Sequence, residues 1–275
     1  MSKKFQQLLL VFVIGAVIWF CPIPEGVKPE AWHLFAIFVA TIIGFILHPL
    51  PIGAIALMAA SLSGFLKILK PADALKGYGD ATIWLIVSAY LFALGFVKTG
   101  LGKRIAYNIM AAIGDSSLKL GYALALSDLV VSPATPSNTA RAGGILFPIV
   151  KSLAVAFKSE PGETARKIGA YLMKSSFQVN CVTSSMFITA VAPNALAVSL
   201  ATKATGMEIS WGQWAMACIL PGLICVAVVP YLVYKLYPPE ITHTPEAKEI
   251  AKKELMAMGK TSKNEKIVLF VFILS

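Results

Sequence analysis

Charged side chains are scarce in this sequence of 275 residues, since Asp, Glu, Lys and Arg together make up 14% of it. Ordinary soluble domains carry roughly 25%. Hydrophobic residues make up 57%, which is more than the core of a soluble domain of this length needs. Both numbers argue against a soluble enzyme and predict that most of the chain lies in a lipid bilayer.

Residues that carry chemistry are also few. The sequence has three histidines and four cysteines, and neither type shows a spacing typical of metal ligands or of paired cysteines. It contains no Walker loop, no Ser-His-Asp set and no pair of carboxylates placed for acid–base catalysis. We therefore expect no catalytic residues, no metal site and no cofactor, and we predict that the chain is not an enzyme.

The net charge of +10 would fit a nucleic-acid-binding protein if the basic residues formed one face of a folded domain. They lie instead between the apolar runs, which is typical of the loops that flank membrane spans. With the N-terminus inside, the inner segments hold 17 of the 24 basic residues and the outer segments hold five. The positive-inside rule therefore predicts a cytoplasmic N-terminus, and we expect no nucleic-acid partner.

Four apolar runs in the first part of the chain predict four transmembrane helices. They are residues 8–21, 32–47, 52–66 and 81–97. The first run has the shape of a signal peptide, but the small residues of a cleavage site are missing. We therefore interpret it as an uncleaved first span.

Two shorter apolar runs follow, at residues 118–131 and 137–150, and a polar stretch with two prolines separates them. Each run has 14 residues. As a helix, each would reach only about 21 Å, which is short of the ~30 Å hydrocarbon core. Such arms predict a re-entrant hairpin, although the charge count fits two complete spans equally well.

The next apolar run, residues 168–204, is too long for one span. It contains Ala192-Pro193-Asn194. Proline removes a helix hydrogen bond and disfavours helical backbone at the preceding residue. We therefore expect a discontinuous helix that breaks at this tripeptide.

These patterns divide the chain into five parts. They are four transmembrane helices plus an interfacial segment (residues 1–115), a re-entrant hairpin (116–157), a broken helix and the following span (158–237), a cytoplasmic charged segment (238–266) and the start of a truncated transmembrane helix (267–275). The last apolar run has eight residues and cannot cross the bilayer. We therefore expect the chain to be a fragment of a longer protein.

The polar stretch at the tip of the predicted hairpin is the first candidate site. Thr135 followed by Pro136 is typical of a helix start, with a capping hydroxyl and then a residue that needs no N–H partner. Ser137 and Asn138 would then present backbone N–H groups at the positive end of a helix, where a carboxylate binds. The alternative is a polar turn at the outer surface whose hydroxyls bond to their own backbone.

The break in the long helix is the second candidate site. Between Thr189 and Asn194, unwound carbonyls would be available to a cation or to a substrate. Discontinuous helices that meet near the membrane midplane are the usual architecture of secondary transporter sites. Two such breaks in one chain favour transport.

Asp128 and Arg141 are the only charges deep in the apolar arms. Asp128 lies seven residues before Thr135 and Arg141 lies six after it, so the two arms would place them at comparable depth and they could pair. Three interpretations stay open: a structural ion pair, Arg141 as a second anion ligand, and Asp128 as a proton carrier. Lys174 we expect to extend its ammonium group to the membrane interface.

Several of these motifs resemble one family of transporters. The sequence Pro136-Ser137-Asn138-Thr139-Ala140, with a small-residue arm ending in Phe147-Pro148-Ile149, looks like the first Ser-Asn-Thr hairpin of the divalent anion sodium symporter family. Ala192-Pro193-Asn194 looks like the break in that family's fifth helix. Residues 24–26, 31–33, 100–104 and 239–243 are similar to the bacterial branch of citrate/succinate and 2-oxoglutarate/malate exchangers.

The resemblance implies an inverted-repeat fold of which this chain is the first half. It implies a homodimer in which a scaffold supports a mobile part that carries substrate across in an elevator-like movement. It also implies that Ser137, Asn138 and Thr139 bind the substrate carboxylate.

The resemblance implies further site residues at the helix break, where Thr189, Pro193 and Asn194 would line the substrate site. Arg141 stands where sodium-coupled relatives usually have a small residue. Its fixed charge would either replace a cation or bind the charge of the substrate, so we include it among the substrate-binding residues. Either role favours anion exchange over sodium symport.

The sequence thus predicts an all-α polytopic protein of the bacterial inner membrane, which exchanges anions of the malate, succinate, 2-oxoglutarate or citrate type. One alternative is a sodium-coupled symporter of dicarboxylates or sulfate, with sodium as its coupling ion. Another is an integral-membrane enzyme, which should show clustered acidic or histidine residues near a membrane face. The expected partners are small carboxylate anions, membrane lipid and a second copy of the chain.

Overall fold

The computed structural model describes residues 2–274, apart from the side chain of Leu274, and this part of the chain contains helices and no strand. Five helices within it are long and apolar enough to cross a membrane. The prediction of an all-α polytopic membrane protein is therefore confirmed. The chain divides into two compact units, Met1–Ile83 and Trp84–Ser275.

The described residues of the first unit contain four complete α-helices. They are α1 (Lys3–Phe20), α2 (Pro29–Leu47), α3 (Ile52–Phe65) and the short α4 (Pro71–Ala74). Small residues bring the first three together, because a Cβ atom added to Gly15 would lie 3.0 Å from Ala40 and one added to Gly44 would lie 3.1 Å from Ile55. Close approach at small residues is the usual way in which helices pack in lipid.

The remaining helices of the described residues lie in the second unit, apart from residues 81–83 at the start of the first of them. They are α5 (Ala81–Thr99), α6 (Leu101–Ile113), α7 (Ser117–Val131), α8 (Asn138–Arg141), α9 (Phe147–Ala156), α10 (Gly169–Met186), α11 (Ala192–Thr205), α12 (Trp211–Leu236), α13 (Pro245–Met258) and α14 (Lys263–Leu274). The largest hydrophobic core lies here, and α6, α7, α9, α10 and α13 all contribute to it. This unit contains both candidate sites.

The second arm of the predicted hairpin is longer than the sequence pattern indicated. A π-helical turn at Ala142–Leu146 joins α8 to α9, so the arm is helical over the 19 residues of Asn138–Ala156. That length is enough to cross a membrane. The expected short second arm was wrong, because the helix continues past the apolar run to Ala156. The re-entrant hairpin stays a prediction.

The discontinuous helix is present, but its break lies earlier than predicted. The backbone leaves α10 at Phe187, forms a short 3₁₀ turn at Ile188–Ala190 and enters α11 at Ala192. Pro193 lies in the first turn of α11 rather than at the break itself. A proline there costs nothing, since the N–H it lacks would have had no helical partner.

The charged segment after α12 is folded onto the core. Ala247 and Ala251 of α13 are fully buried. Lys119 and Lys248 both form ion pairs with Asp115, at 2.9 and 3.3 Å. These contacts, chiefly the hydrogen bond from Lys119, lower the pKa of the Asp115 carboxyl below its ordinary value. The stabilisation from this cluster is therefore complete at neutral pH and lost as the pH falls through that lowered pKa.

Arg104 of α6 provides a second attachment for the same segment. Its guanidinium binds Glu265 of α14 through two nitrogens, at 2.6 and 3.2 Å, and donates to the carbonyls of Met258 and Gly259. The two-nitrogen pairing fixes the orientation of the guanidinium as well as its position. Residues 238–266 therefore form an ordered part of the second unit.

Substitution of Gly121 by alanine tests the packing of α7 against α10. A Cβ atom at this position would overlap the hydroxyl oxygen of Tyr171, whose side chain is buried. We expect Gly121→Ala to destabilise the protein by about 1–3 kcal/mol, which is the usual cost of overpacking. The measurement is the melting temperature of the purified protein in detergent.

Gly212→Ala is the matched control, because no atom of the described part of the chain lies within 4 Å of a Cβ atom there, and it should leave the melting temperature unchanged. Combining Gly121→Ala with Tyr171→Phe should recover part of the loss, since the clashing oxygen is removed. A melting temperature of Gly121→Ala equal to that of the wild type would contradict the close packing.

Candidate functional site

The tip of the predicted hairpin, called the hairpin below, starts a helix, but two residues later than predicted. Thr135 and Ser137 have extended backbones, and Ser137 is the N-cap, because its hydroxyl accepts a hydrogen bond from the N–H of Ala140 at 3.1 Å. The predicted capping role of Thr135 was wrong. Its hydroxyl is buried and has no hydrogen-bond partner among the described residues.

The three residues of the Ser-Asn-Thr motif differ in exposure. Ser137 is buried, Asn138 is half-buried and Thr139 is exposed. The side-chain oxygen of Asn138 accepts a hydrogen bond from the N–H of Thr139 at 2.8 Å. Within residues 2–274, the backbone N–H groups of Ser137 and Asn138 and the side-chain NH2 of Asn138 donate to no acceptor.

These unused donors lie at the start of a helical arm that continues to Ala156. Aligned N–H groups at a helix start form a ready site for an anion. The donors are neutral, so this part of the site offers hydrogen bonds and a dipole rather than a formal charge. It can therefore bind a carboxylate without proton transfer.

The helix break lies beside the tip of the hairpin. The N–H of Ala192, the first residue of α11, donates to the carbonyl of Pro136 at 3.2 Å. The start of α11 and the start of the hairpin's second arm are thus neighbours. The structure brings the two predicted candidate sites together.

The predicted residues of the break serve mainly to support its shape. The side-chain NH2 of Asn194 donates to the carbonyls of Ser184 and Phe187, at 2.7 and 2.9 Å, which closes the end of α10. The hydroxyl of Thr189 accepts a hydrogen bond from the indole of Trp211 at 3.1 Å. Pro193 is exposed in the first turn of α11.

Arg141 lies fully buried between the hairpin and the break, and all three of its guanidinium nitrogens are engaged. One nitrogen donates to the carbonyls of Thr135 and Ala190, at 3.0 and 3.1 Å. A second donates to the hydroxyls of Thr183 and Ser184, at 3.4 and 2.9 Å. One guanidinium therefore joins the hairpin tip, the end of α10 and the break.

The third nitrogen of Arg141 confirms the predicted ion pair. It donates to a carboxylate oxygen of Asp128 at 2.7 Å, and both side chains are almost completely buried. Asp128 also accepts hydrogen bonds from the NH2 of Asn180 and from the hydroxyl of Thr183. The two charges cancel inside a network that satisfies both partners, as a buried ion pair requires.

The expectation of free carbonyls between Thr189 and Asn194 is contradicted only in part, because the carbonyls of Ala190 and Val191 are occupied. Asn194 occupies the carbonyls of Ser184 and Phe187, and Arg141 occupies that of Ala190. The indole of Trp214 donates to the carbonyl of Ser185 at 3.0 Å. The unwound backbone is therefore partly paired with donors of the protein, and free carbonyls in the rest of Thr189–Asn194 stay a prediction.

Sequence reasoning missed several residues that shape the site. Asn180 and Thr183 bind Asp128, and together with Ser184 they form a polar face at helical spacing on α10, which is a signal that the sequence does contain. Trp211 stacks on Phe187, with ring centres 5.7 Å apart. Nothing local in the sequence indicates that Trp211 and Trp214 support the break.

Comparison with known proteins gives the same picture. The chain is 51% identical over 274 residues to the putative malate transporter YflS of Bacillus subtilis, covering 99% of this chain and 57% of that protein. It is 48% identical to the chloroplastic dicarboxylate transporter 1 of Spinacia oleracea, covering all of this chain and 48% of that protein. It is 41% identical to the citrate/succinate antiporter of Escherichia coli, covering all of this chain and 60% of that protein.

The chain thus spans about half the length of the curated relatives it matches. A family model described as the sodium:sulfate symporter transmembrane region matches residues 2–275. The resemblance seen in the Ser-Asn-Thr hairpin is confirmed, and the chain belongs to this family of divalent-anion transporters.

Proposed function

We propose that this chain forms the first half of a secondary transporter that exchanges di- or tricarboxylate anions across a bacterial inner membrane. The relatives named above are a putative malate transporter, a dicarboxylate transporter and a citrate/succinate antiporter, which favours transport over catalysis. The unused N–H groups of Ser137 and Asn138 supply a site for one carboxylate of such an anion.

The proposed binding site is built on the hairpin tip. Ser137 and Asn138 hold the carboxylate through their unused backbone N–H groups and through the side-chain NH2 of Asn138. Thr139 completes this part of the site, and its N–H and hydroxyl hold the side-chain oxygen of Asn138. Thr189, Pro193 and Asn194 line the neighbouring break and hold its shape, since two of these side chains bind the protein itself. The remaining ligands of a second carboxylate would come from a region that corresponds to the other half of the longer relatives.

The engagement of Arg141 is the observation that favours exchange over sodium symport. Its guanidinium lies among two carbonyls, two hydroxyls and a carboxylate, which is the kind of oxygen-rich cage that a hard cation such as sodium needs. In this proposal the side chain acts as a tethered cation that joins the hairpin to the break. A coupling sodium ion would then have no room at this position.

The fixed position of Arg141 narrows the roles left open by the sequence. All three nitrogens bind protein oxygens, so we assign the side chain to shaping the site rather than to direct contact with the substrate carboxylate. Asp128 carries an ion pair and further hydrogen bonds, which favours a structural role over proton carriage. Both assignments belong to the proposal.

The wider architecture of the proposal follows the family resemblance. The hairpin and the broken helix would belong to a mobile part that moves like an elevator against a scaffold, in a homodimer of inverted repeats. The N-terminus would lie in the cytoplasm, as the distribution of basic residues predicts. A sodium-driven symporter of dicarboxylates or sulfate is the competing function; the description of the family model names such a symporter, but the relatives named above favour it less.

Counterflow in proteoliposomes made with the complete gene product separates the two functions. We expect labelled malate or succinate to enter only vesicles that contain an unlabelled dicarboxylate, and replacing sodium by potassium to leave this uptake unchanged. Empty vesicles are the control. Uptake that requires sodium and needs no internal dicarboxylate would overturn the exchange mechanism in favour of symport.

A further inference from the structure

Two basic side chains meet at one tyrosine ring away from the hairpin and the break. The ammonium nitrogen of Lys174 lies 3.6 Å from the ring centre of Tyr237, and the guanidinium carbon of Arg166 lies 4.4 Å from the same point. Lys174 belongs to α10, Arg166 lies in the loop before it, and Tyr237 directly follows the last residue of α12. Three separate segments therefore converge on this basic pair.

The basic pair lacks an acidic partner. Within residues 2–274, neither Arg166 nor Lys174 has a carboxylate oxygen within 4.0 Å. Glu163 and Glu240 are near in sequence, but both are exposed and form no ion pair there. Two like charges on one ring repel each other, although each is attracted to the face of the ring. An anion between or beside them would remove that repulsion.

The backbone that carries Arg166 is held in place. The buried hydroxyl of Ser159 accepts hydrogen bonds from the N–H groups of Ile168 and Gly169, at 3.2 and 2.9 Å. The carbonyl of Arg166 accepts a hydrogen bond from the N–H of Glu240 at 3.0 Å. The loop is thus pinned to the start of α10 and to the segment after α12. The backbone that carries Arg166 is therefore held in position without a bound ligand.

The position of the pair indicates which anion it meets. Tyr237 follows directly on α12, a span of 26 residues, and tyrosines at span ends lie at the level of lipid headgroups. Phe177 lies one helical turn beyond Lys174 and is 66% exposed, and Leu236 beside Tyr237 is 75% exposed. Cations at a span end with exposed apolar side chains next to them match a phospholipid, whose phosphate and acyl chain need these two surfaces.

We propose that Arg166 and Lys174, held against Tyr237, bind the phosphate of an anionic phospholipid. Arg166 supplies a planar fork of donors, and Lys174 supplies a point charge. The tyrosine ring sets the distance between the two cations, and the exposed apolar side chains receive an acyl chain. The site is separate from the carboxylate site and stands whether or not the chain transports dicarboxylates.

Lipid titration of the purified, delipidated complete protein tests this site. We compare phosphatidylglycerol with phosphatidylcholine, using the melting temperature and the lipid retained in native mass spectrometry as readouts. Wild-type protein should show a larger shift and tighter retention with phosphatidylglycerol. The double variant Arg166→Gln with Lys174→Gln should lose about thirtyfold in affinity for it, because each basic group near an anionic lipid contributes about a factor of five.

Two control variants test whether the effect is specific to this site. Lys28→Gln with Lys76→Gln removes two exposed lysines from the first unit and should keep the preference for phosphatidylglycerol. Arg166→Lys with Lys174→Arg keeps both charges and should also keep it, which separates the site from any folding defect of the glutamine variants. Equal phosphatidylglycerol binding by wild type and glutamine variants would overturn the proposal. The proposal would also be overturned if inorganic phosphate or malate alone stabilised the protein as much as phosphatidylglycerol does, through the same two residues. The site would then bind a soluble anion.

Discussion

Replacing Arg141 by methionine is expected to destabilise the protein by about 3–5 kcal/mol, because removal of one partner leaves the other charge buried without compensation. Asp128 is 1% exposed, so no solvent reaches it to replace the lost pair. The carbonyls of Thr135 and Ala190 would lose their donor as well. Unfolding in mixed detergent micelles measures the free energy, and loss of the folded protein during purification is the extreme result.

A double variant separates the effect of the unpaired charge from the effect of the lost hydrogen bonds. Adding Asp128→Leu to Arg141→Met removes the unpaired charge, so part of the lost stability should return, although the carbonyls stay without a donor. Asp128→Asn alone should cost less than Arg141→Met, because Arg141 keeps its carbonyl and hydroxyl partners. If Arg141→Met alone is as stable as the wild type, the guanidinium does not hold the hairpin and the break together.

The same position distinguishes a tethered cation from an anion ligand. Arg141→Ser leaves the surrounding carbonyls, hydroxyls and the carboxylate without their cation, so sodium should stabilise this variant and not the wild type. The readout is the melting temperature with sodium chloride against potassium chloride. Direct contact between Arg141 and the substrate would be supported instead if sodium does not stabilise Arg141→Ser and the variant differs from the wild type only in a lower affinity for the substrate.

The ion pair was predictable because its geometry is local to the hairpin. Asp128 and Arg141 lie at similar distances from the tip along two neighbouring arms, and counting residues from the tip gives their depth. The apolar runs predicted most helices for the same reason, since hydrophobic length is a property of each segment alone. Such features depend on the spacing of residues and on the hydrophobicity of each segment, and both can be determined from the sequence.

Helix boundaries near prolines were less predictable. Pro136 and Pro193 both mark the region of a helix start, yet the cap is Ser137 rather than Thr135, and the backbone unwinds at Phe187, five residues before Ala192 begins α11. Proline fits the first turn of a helix as well as it breaks an interior, so its position alone does not locate the unwound residues. The hydrogen bonds of the flanking residues determine where the helix ends and where the next one begins.

The occupied carbonyls of the break and of the last turn of α10 were not predictable from sequence pattern. Their donors are the side chains of Arg141, Asn194 and Trp214, and two of these come from other helices. Only the packing of α10 against the hairpin and α12 shows that these donors reach the break. This packing assigns part of the break to structural hydrogen bonds, which the sequence pattern does not show.

Asn138→Ala is expected to lower the affinity for dicarboxylates by about tenfold or more, since a hydrogen bond to a charged group contributes about 1.5–3 kcal/mol. The substitution removes the free side-chain NH2 at the hairpin tip and keeps the backbone N–H groups. Asn138→Asp should abolish transport, because it places a carboxylate where the substrate carboxylate binds. Exchange in proteoliposomes over a range of malate concentrations gives the affinity.

Asn108→Ala is the matched control, because Asn108 is an exposed asparagine of α6 whose side chain bonds, within residues 2–274, only to the carbonyl of Arg104. It should leave exchange unchanged. Asn138→Ala also loses the hydrogen bond to the N–H of Thr139, so its melting temperature must be measured beside its transport. A variant that stays folded and exchanges malate with wild-type affinity would place the carboxylate elsewhere, and the hairpin tip would then be a polar turn that only joins two helices.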